Sequence, residues 1–292
     1  MSSRFLEAVF EASVAASLAA AMLIAGDAGA QAAPPLRVCA DPNNLPFSNQ
    51  QQEGFENRIA ELVAGELGTT VEYTWWAQRR GFIRNTLGEE RCDMVLGVPA
   101  GLEMVTTTRP YYRSTYVFVT RADMAPPPAS LDDQRLRTLR IGVQMIGDDG
   151  TNTPPAHALA RRGIITNVSG YLVYGDYSLP SPAAAIIEAV ARGDIDIALA
   201  WGPMAAYFAA RQKPALTVAP IAPERGEQAL PFIFEIAMGV RKADAELRDA
   251  LQAVLDRRRS DIDAILREYG VPRSDAGVRP VATFTPHRRG AS

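Results

Sequence analysis

Aromatic side chains and arginines, rather than acid–base pairs, are the residues of this 292-residue chain whose types and spacing could do chemistry. Trp75 and Trp76 are adjacent, Arg79 and Arg80 follow, and Arg84 stands about one helical turn further on. Tyr111 and Tyr112 lie between Arg109 and Arg113, Phe47 follows a turn-rich stretch, and Trp201 closes an apolar run. Trp and Tyr combine broad apolar area with a single polar atom, which suits contact with protein or peptide. Arginines at the start of a helix oppose its dipole. Arg79 and Arg80 therefore call for another reason, either an acidic docking partner or an ion pair within the lobe. The plainer readings are that several aromatics are core and that the arginines form a solvated face.

Hydrolytic, redox and metal chemistry lack comparable support. There are two histidines, His157 and His287, and no Ser/His/Asp arrangement, CxxC, HExxH, P-loop or GxGxxG fingerprint. His157, after Pro154-Pro155-Ala156, reads as capping or packing a helix start. The loop 147–152 (GDDGTN) lacks alternate-position oxygen ligands closed by a downstream Glu, so it reads as a polar loop. We expect no catalytic residue, no cofactor and no metal ligand.

The bulk properties exclude other classes. Net charge is -3, with 47% hydrophobic and 22% charged residues, and no long basic run exists for a nucleic-acid partner. Residues 12–25 are apolar apart from two serines, and Ala30-Gln31-Ala32 offers a small-residue cleavage site. That core is shorter than the ~20 residues a spanning helix needs. The expectation is a signal peptide over 1–32, export to the periplasm and no membrane-embedded segment.

Those residues must be positioned by alternating short apolar runs and helical patterns, which imply parallel sheets with crossover helices. Strands are expected at 36–40, 70–75 and 92–98, with helices at 54–68 and 79–88 between them. An extended run at 115–121 leads to Pro126-Pro127-Pro128. A second series follows, with strands at 140–144, 168–174, 195–200 and 216–220 and helices at 155–163, 182–192 and 203–211. Residues 233–240 are extended again, and 244–268 reads as helix with a break near Ser260. The fold class is α/β, with two doubly wound sheets joined by two crossing segments. The lobes are 34–117 plus 240–272 and 122–235, with a tail over 273–292. Ligands of such sheets bind at strand C-terminal ends, which places the site between the lobes.

Cys39 and Cys92 would meet an oxidising compartment, where a disulfide is the default. Register argues otherwise. Parallel neighbours would set the two about three residues apart, roughly 10 Å, beyond the about 7 Å a disulfide spans. The expectation is unbonded thiols.

This order resembles the periplasmic solute-binding proteins of amino-acid importers. The resemblance is carried by Pro46-Phe47, Cys92-Asp93, Pro110-Tyr111-Tyr112, Gly193-Asp194-Ile195-Asp196, and Gly239-Val240-Arg241-Lys242 with Tyr269-Gly270-Val271-Pro272. It implies a two-lobed periplasmic binding protein type II fold. Longer strings, VCADPNNLPFSN (38–49), WWAQRRGFIRNTL (75–87), CDMVLGVPAG (92–101), TTRPYYRSTYVFV (107–119), TPPAHALARRGI (153–164) and ALAWGPMAAYF (198–208), are similar to the MxaJ/XoxJ family. That resemblance implies an accessory protein for a PQQ-dependent methanol or alcohol dehydrogenase, leaning to the lanthanide-dependent XoxF type, with its cytochrome c as a further candidate partner.

The importer family holds an amino acid by an arginine on the carboxylate and an acidic side chain on the ammonium. The arginine's turn here reads Val98-Pro99-Ala100-Gly101-Leu102-Glu103-Met104, without arginine, and the acidic position falls at Trp201. Burying a charged ligand without counter-charges costs several kcal/mol, so an amino acid is not the expected ligand. Phe47, Trp75, Trp76, Arg79, Arg80, Tyr111, Tyr112 and Trp201 are the candidate cleft and partner-binding residues. The alternative is an importer subunit for a small non-zwitterionic solute.

Overall fold

The computed structural model describes residues 33–146, 152–224 and 229–273. The expected signal peptide, residues 147–151 of the polar loop and the tail from 274, with His287, lie outside them. In chain order the elements are β1 (Leu36–Ala40), β2 (Asn43–Asn44), β3 (Ser48–Asn49), α1 (Phe55–Glu66), β4 (Val71–Trp75), the single-turn α2 (Phe82–Asn85), β5 (Met94–Pro99), β6 (Thr106–Thr107) and β7 (Tyr112–Thr120). There follow β8 (Ile141–Met145), α3 (Pro154–Arg161), β9 (Val168–Leu172), α4 (Ala185–Arg192), β10 (Ile197–Trp201), α5 (Gly202–Ala209), β11 (Thr217–Pro220), β12 (Ile233–Val240), α6 (Ala245–Arg257) and α7 (Arg259–Glu268). No helix among the described residues is long and apolar enough to cross a membrane.

β1 lies parallel to β4 and β5, and β8 lies parallel to β10 and β9. The long strands β7 and β12 join the two sets. Each spends half its length on its partner, from Ile233 opposite Thr115 to Ile236 opposite Tyr112. Beyond that stretch β7 runs antiparallel to β10, and β12 to β5. The two sheets thus continue into each other through the crossing strands, in the order β4-β1-β5-β12-β7-β10-β8-β9.

Alternation of side chains along each strand builds a core on each face. In the second lobe, Val117, Val119, Ala198 and Ala200 join α4 and α5 on one side. Phe118, Ile197 and Leu199 join α3 on the other. In the first lobe, Leu36, Val38, Met94 and Leu96 meet Phe55, Ile59 and Val63 of α1, four residues apart and so on one helical face. Leu251, Val254, Ile262 and Leu266 from α6 and α7 belong to the same core. The parity of β5 changes at Gly97, because Val95 and Val98 share the opposite core. Gly97 has φ +72°, and three residues of β5 there face two of β12, a bulge that only a glycine adopts without strain.

Cys39 and Cys92 form a disulfide, contrary to the expectation. The expected register is present, since Cys39 pairs with Val95, three residues beyond Cys92. Cys92, however, precedes the strand, and the chain bends at Arg91 and Asp93. Strand rise does not apply to a residue outside the strand, and the Cα atoms approach to 5.5 Å. Asp93 holds this bend: its N–H donates to the Arg37 carbonyl at 2.8 Å, and its carboxylate accepts the Arg37 guanidinium at 2.5 and 3.0 Å.

Candidate functional site

The cleft lies where β1, β5 and β10 end and where the crossing strands pass between the lobes. Trp201 is the last residue of β10 and sits opposite Tyr116 of β7. The two rings meet edge-on at 5.3 Å, and Phe234 of β12 completes a triangle, 5.9 Å from Trp201 and 6.3 Å from Tyr116. Such pairs contribute about 0.5–1.5 kcal/mol beyond area burial. The Trp201 N–H donates to the Gln144 side-chain oxygen at 2.7 Å, which fixes the end of the strand. Half-buried, Trp201 also packs against the first-lobe core, and Phe47 packs against the cores of both lobes. Aromatic side chains of this protein thus line the hinge.

A polar contact closes another part of the cleft. After β1 the chain turns at Asp41, 1% exposed, whose Oδ1 accepts the Asn43 N–H at 2.8 Å. Its Oδ2 accepts the Gln78 N–H at 2.6 Å and the Tyr177 hydroxyl at 2.5 Å. Tyr177 comes from the second lobe, and Arg79 of the first lies over its ring at 4.6 Å. Burial, then the bond to Asp41, pushes the Tyr177 phenol up from its ordinary value. Asn43 adds two further bonds, to the Leu179 carbonyl at 2.9 Å and from the Ser181 N–H at 3.1 Å. Elsewhere between the lobes, Tyr207 of α5 stacks on Tyr269, centroids 6.0 Å apart, with Arg211 over the first ring and Arg58 over the second.

Of the candidates named from sequence, Phe47, Arg79 and Trp201 come to these contacts. Tyr111 and Tyr112 do not: at 1% and 4% exposed they belong to the first-lobe core, where helix packing covers them, so neither is an accessible anchor. Trp75 is half-buried and stacks on Tyr73 at 4.5 Å. Trp76 is 37% exposed, with Arg91 over its ring at 5.2 Å. Arg80 is exposed, and α2, the expected helix start, is only four residues long. Arg109 and Arg113 are ion-paired, to Asp256 and Glu235. His157 is exposed on α3, and no group of three or more His, Cys, Asp or Glu side chains among the described residues could hold a metal ion.

Sequence reasoning missed Asp41, Asn43, Tyr177 and Glu56. The Asp41-Pro42-Asn43-Asn44 turn was legible, but its partner lies 136 residues away. Glu56, in the first turn of α1, is 8% exposed. Burial first, and the Asp41 carboxylate second, push its carboxyl up to about 8. Its Oε1 would lie 2.4 Å from a Cβ at Gly97, so the bulge glycine makes room for it. Burial, followed by the Glu56 charge, raises the phenols of Tyr111 and Tyr112.

Residues 36–272 match the family described as bacterial extracellular solute-binding proteins, family 3. Protein MoxJ of Methylorubrum extorquens is 33% identical over 249 residues, 81% of either chain. MoxJ of Paracoccus denitrificans is 31% identical, over 81% of this chain and 88% of that one. Among solved structures, the periplasmic binding protein XoxJ from Methylobacterium extorquens AM1 aligns with a TM-score of 0.68 at 36% identity, covering 82% of this chain and 99% of that chain. MxaJ from Methlophaga aminisulfidivorans MPT aligns at 0.69 and 25%, over 82% and 100%. An ancestral cationic amino acid solute-binding protein, at 22% identity and 0.63, shares the fold. With its type II fold, its match over nearly all described residues and its MoxJ, XoxJ and MxaJ relatives, this chain belongs to family 3 of the bacterial extracellular solute-binding proteins.

Proposed function

We propose that the protein is a periplasmic accessory factor for a PQQ-dependent methanol or alcohol dehydrogenase, and that it acts by docking through its binding-protein-like cleft rather than by catalysis. The observation that carries this reading is the hinge: Trp201, Tyr116 and Phe234 pack together where a solute binder would present a counter-charge. Large aromatics dominate the energetics of protein contacts. The MoxJ and XoxJ relatives and the quoted strings support the choice of dehydrogenase, and the 36% identity to XoxJ favours the XoxF type. The same reading includes removal of residues 1–32 on export and lobes bounded at 34–117 plus 240–272 and 122–235. Trp201 and Phe47 serve as cleft contacts, and Trp75, Trp76, Arg79 and Arg80 as the rim. Capture of periplasmic partners on the tagged protein, in strains with and without the quinoprotein gene, tests it. The expected result is recovery of the dehydrogenase, with or without its cytochrome c. If native mass spectrometry instead finds a co-purified small molecule and no dehydrogenase is captured, the solute-binding reading replaces this one.

A further inference from the structure

Residues 173–181 of the second lobe lie on the first lobe in a way that resembles peptide recognition more than core packing. Asn43 forks its carboxamide onto main chain, donating to the Leu179 carbonyl and accepting from the Ser181 N–H. Asp41 takes the Tyr177 hydroxyl, and Arg79 covers the Tyr177 ring. The segment's large apolar side chain, Leu179, is 57% exposed and anchors nothing. Main-chain bonds to an asparagine fit any extended chain, whereas a buried carboxylate beside a guanidinium selects an aromatic hydroxyl. We infer that Asp41, Asn43 and Arg79 form a peptide-reading rim that this strap occupies in cis. An extended, tyrosine-bearing segment of a partner protein takes the strap's place when the lobes part.

The inference deepens the docking reading, because the rim opens onto the aromatic hinge, but its test needs no dehydrogenase. Tethering gives the strap a millimolar effective concentration, so the wild-type rim is masked. The probe is a fluorescent peptide of residues 173–181 (VYGDYSLPS) added to the full chain. Anisotropy should report binding to Tyr177→Ala at least ten-fold tighter than to wild type, and at least ten-fold loss again when Asn43→Ala is added. Equal binding to wild type and Tyr177→Ala, or binding to neither, overturns the inference. A milder variant, Tyr177→Phe, keeps the ring and removes one bond to a charged group. Hydrogen exchange at the Ser181 amide should then speed up ten-fold or more, and an unchanged rate also overturns it. If the peptide behaves as expected and the dehydrogenase is never captured, the rim stands and the proposed partner falls.

Discussion

Glu56 makes the folded protein sensitive to pH in a direction opposite to that of most carboxylates. Its carboxyl is enclosed by α1, by Gly97 of β5 and by Tyr111 and Tyr112, with Asp41 close enough to add to its shift. In the folded state it titrates near 8, against 4.5 for the free group. A carboxyl whose pKa is raised by folding adds stability that is complete below the unfolded value and lost as pH rises to the folded one. The window is therefore about pH 4.5 to 8, and the loss across it is roughly 5 kcal/mol at 1.36 kcal/mol per pH unit. The partial positive charge at the α1 N-terminus is already part of this balance, since it favours the anion by about 0.3–1 kcal/mol. Urea unfolding of the oxidised protein at pH 5, 6.5, 8 and 9 measures it, and stopping at pH 9 keeps the tyrosines out of the titration. Wild type should lose several kcal/mol over this range, and Glu56→Gln should lose far less and be the more stable protein at pH 9. Parallel stability curves for the two proteins would refute the reasoning.

Three other outcomes follow from the packing. Unfolded, unreduced protein should titrate no free thiol, and Cys92→Ser should lower stability by about 4 kcal/mol, since the bond closes a loop between residues 53 apart. Gly97→Ala should cost about 1–3 kcal/mol, from its positive φ and from contact with Glu56; a double-mutant cycle with Glu56→Ala should recover part of that cost, and simple additivity would count against the contact. Trp201→Ala should weaken quinoprotein binding at least ~10-fold in a calorimetric or surface-binding assay while the far-ultraviolet spectrum stays native; normal quinoprotein binding combined with loss of a small solute would reverse the functional reading.

What the sequence made legible was local. The extended run at 233–240 coincides with β12, and the break expected near Ser260 falls at Arg258, because apolar spacing of two or of about four residues is imposed by burial on each element separately. Cys39 and Cys92 mark where such reasoning ends. Their register was correct, yet the bond depends on a bend just before β5 that no periodicity encodes. Tyr111 and Tyr112 fail for a related reason. Their flanking arginines suggested a wet surface, but Arg109 and Arg113 reach away to Asp256 and Glu235, leaving the tyrosines to the core. Asp41 and Tyr177 each look like ordinary turn residues, and only the closed arrangement of the lobes brings them together.

That closure bears on how a macromolecule could use the cleft. A solute binder closes on counter-charges that the ligand satisfies. Here Asp41 and Asn43 are met by Tyr177, Leu179 and Ser181. Each such hydrogen bond contributes about 0.5–1.5 kcal/mol net, and somewhat more where a carboxylate is involved. Three of them, with the Arg79–Tyr177 contact, amount to a few kcal/mol, so an open form would be held to about a per cent or less. A partner then binds with its intrinsic affinity reduced by that fraction. Loosening the strap should therefore tighten the complex chiefly by raising the open population. Truncating Trp201 should weaken it by removing a contact, without raising that population. Measured together, Tyr177→Phe and Trp201→Ala should move dehydrogenase affinity in opposite directions, the former with faster Ser181 exchange; a shift in the same direction would mean that the strap is part of the docking surface rather than its cover.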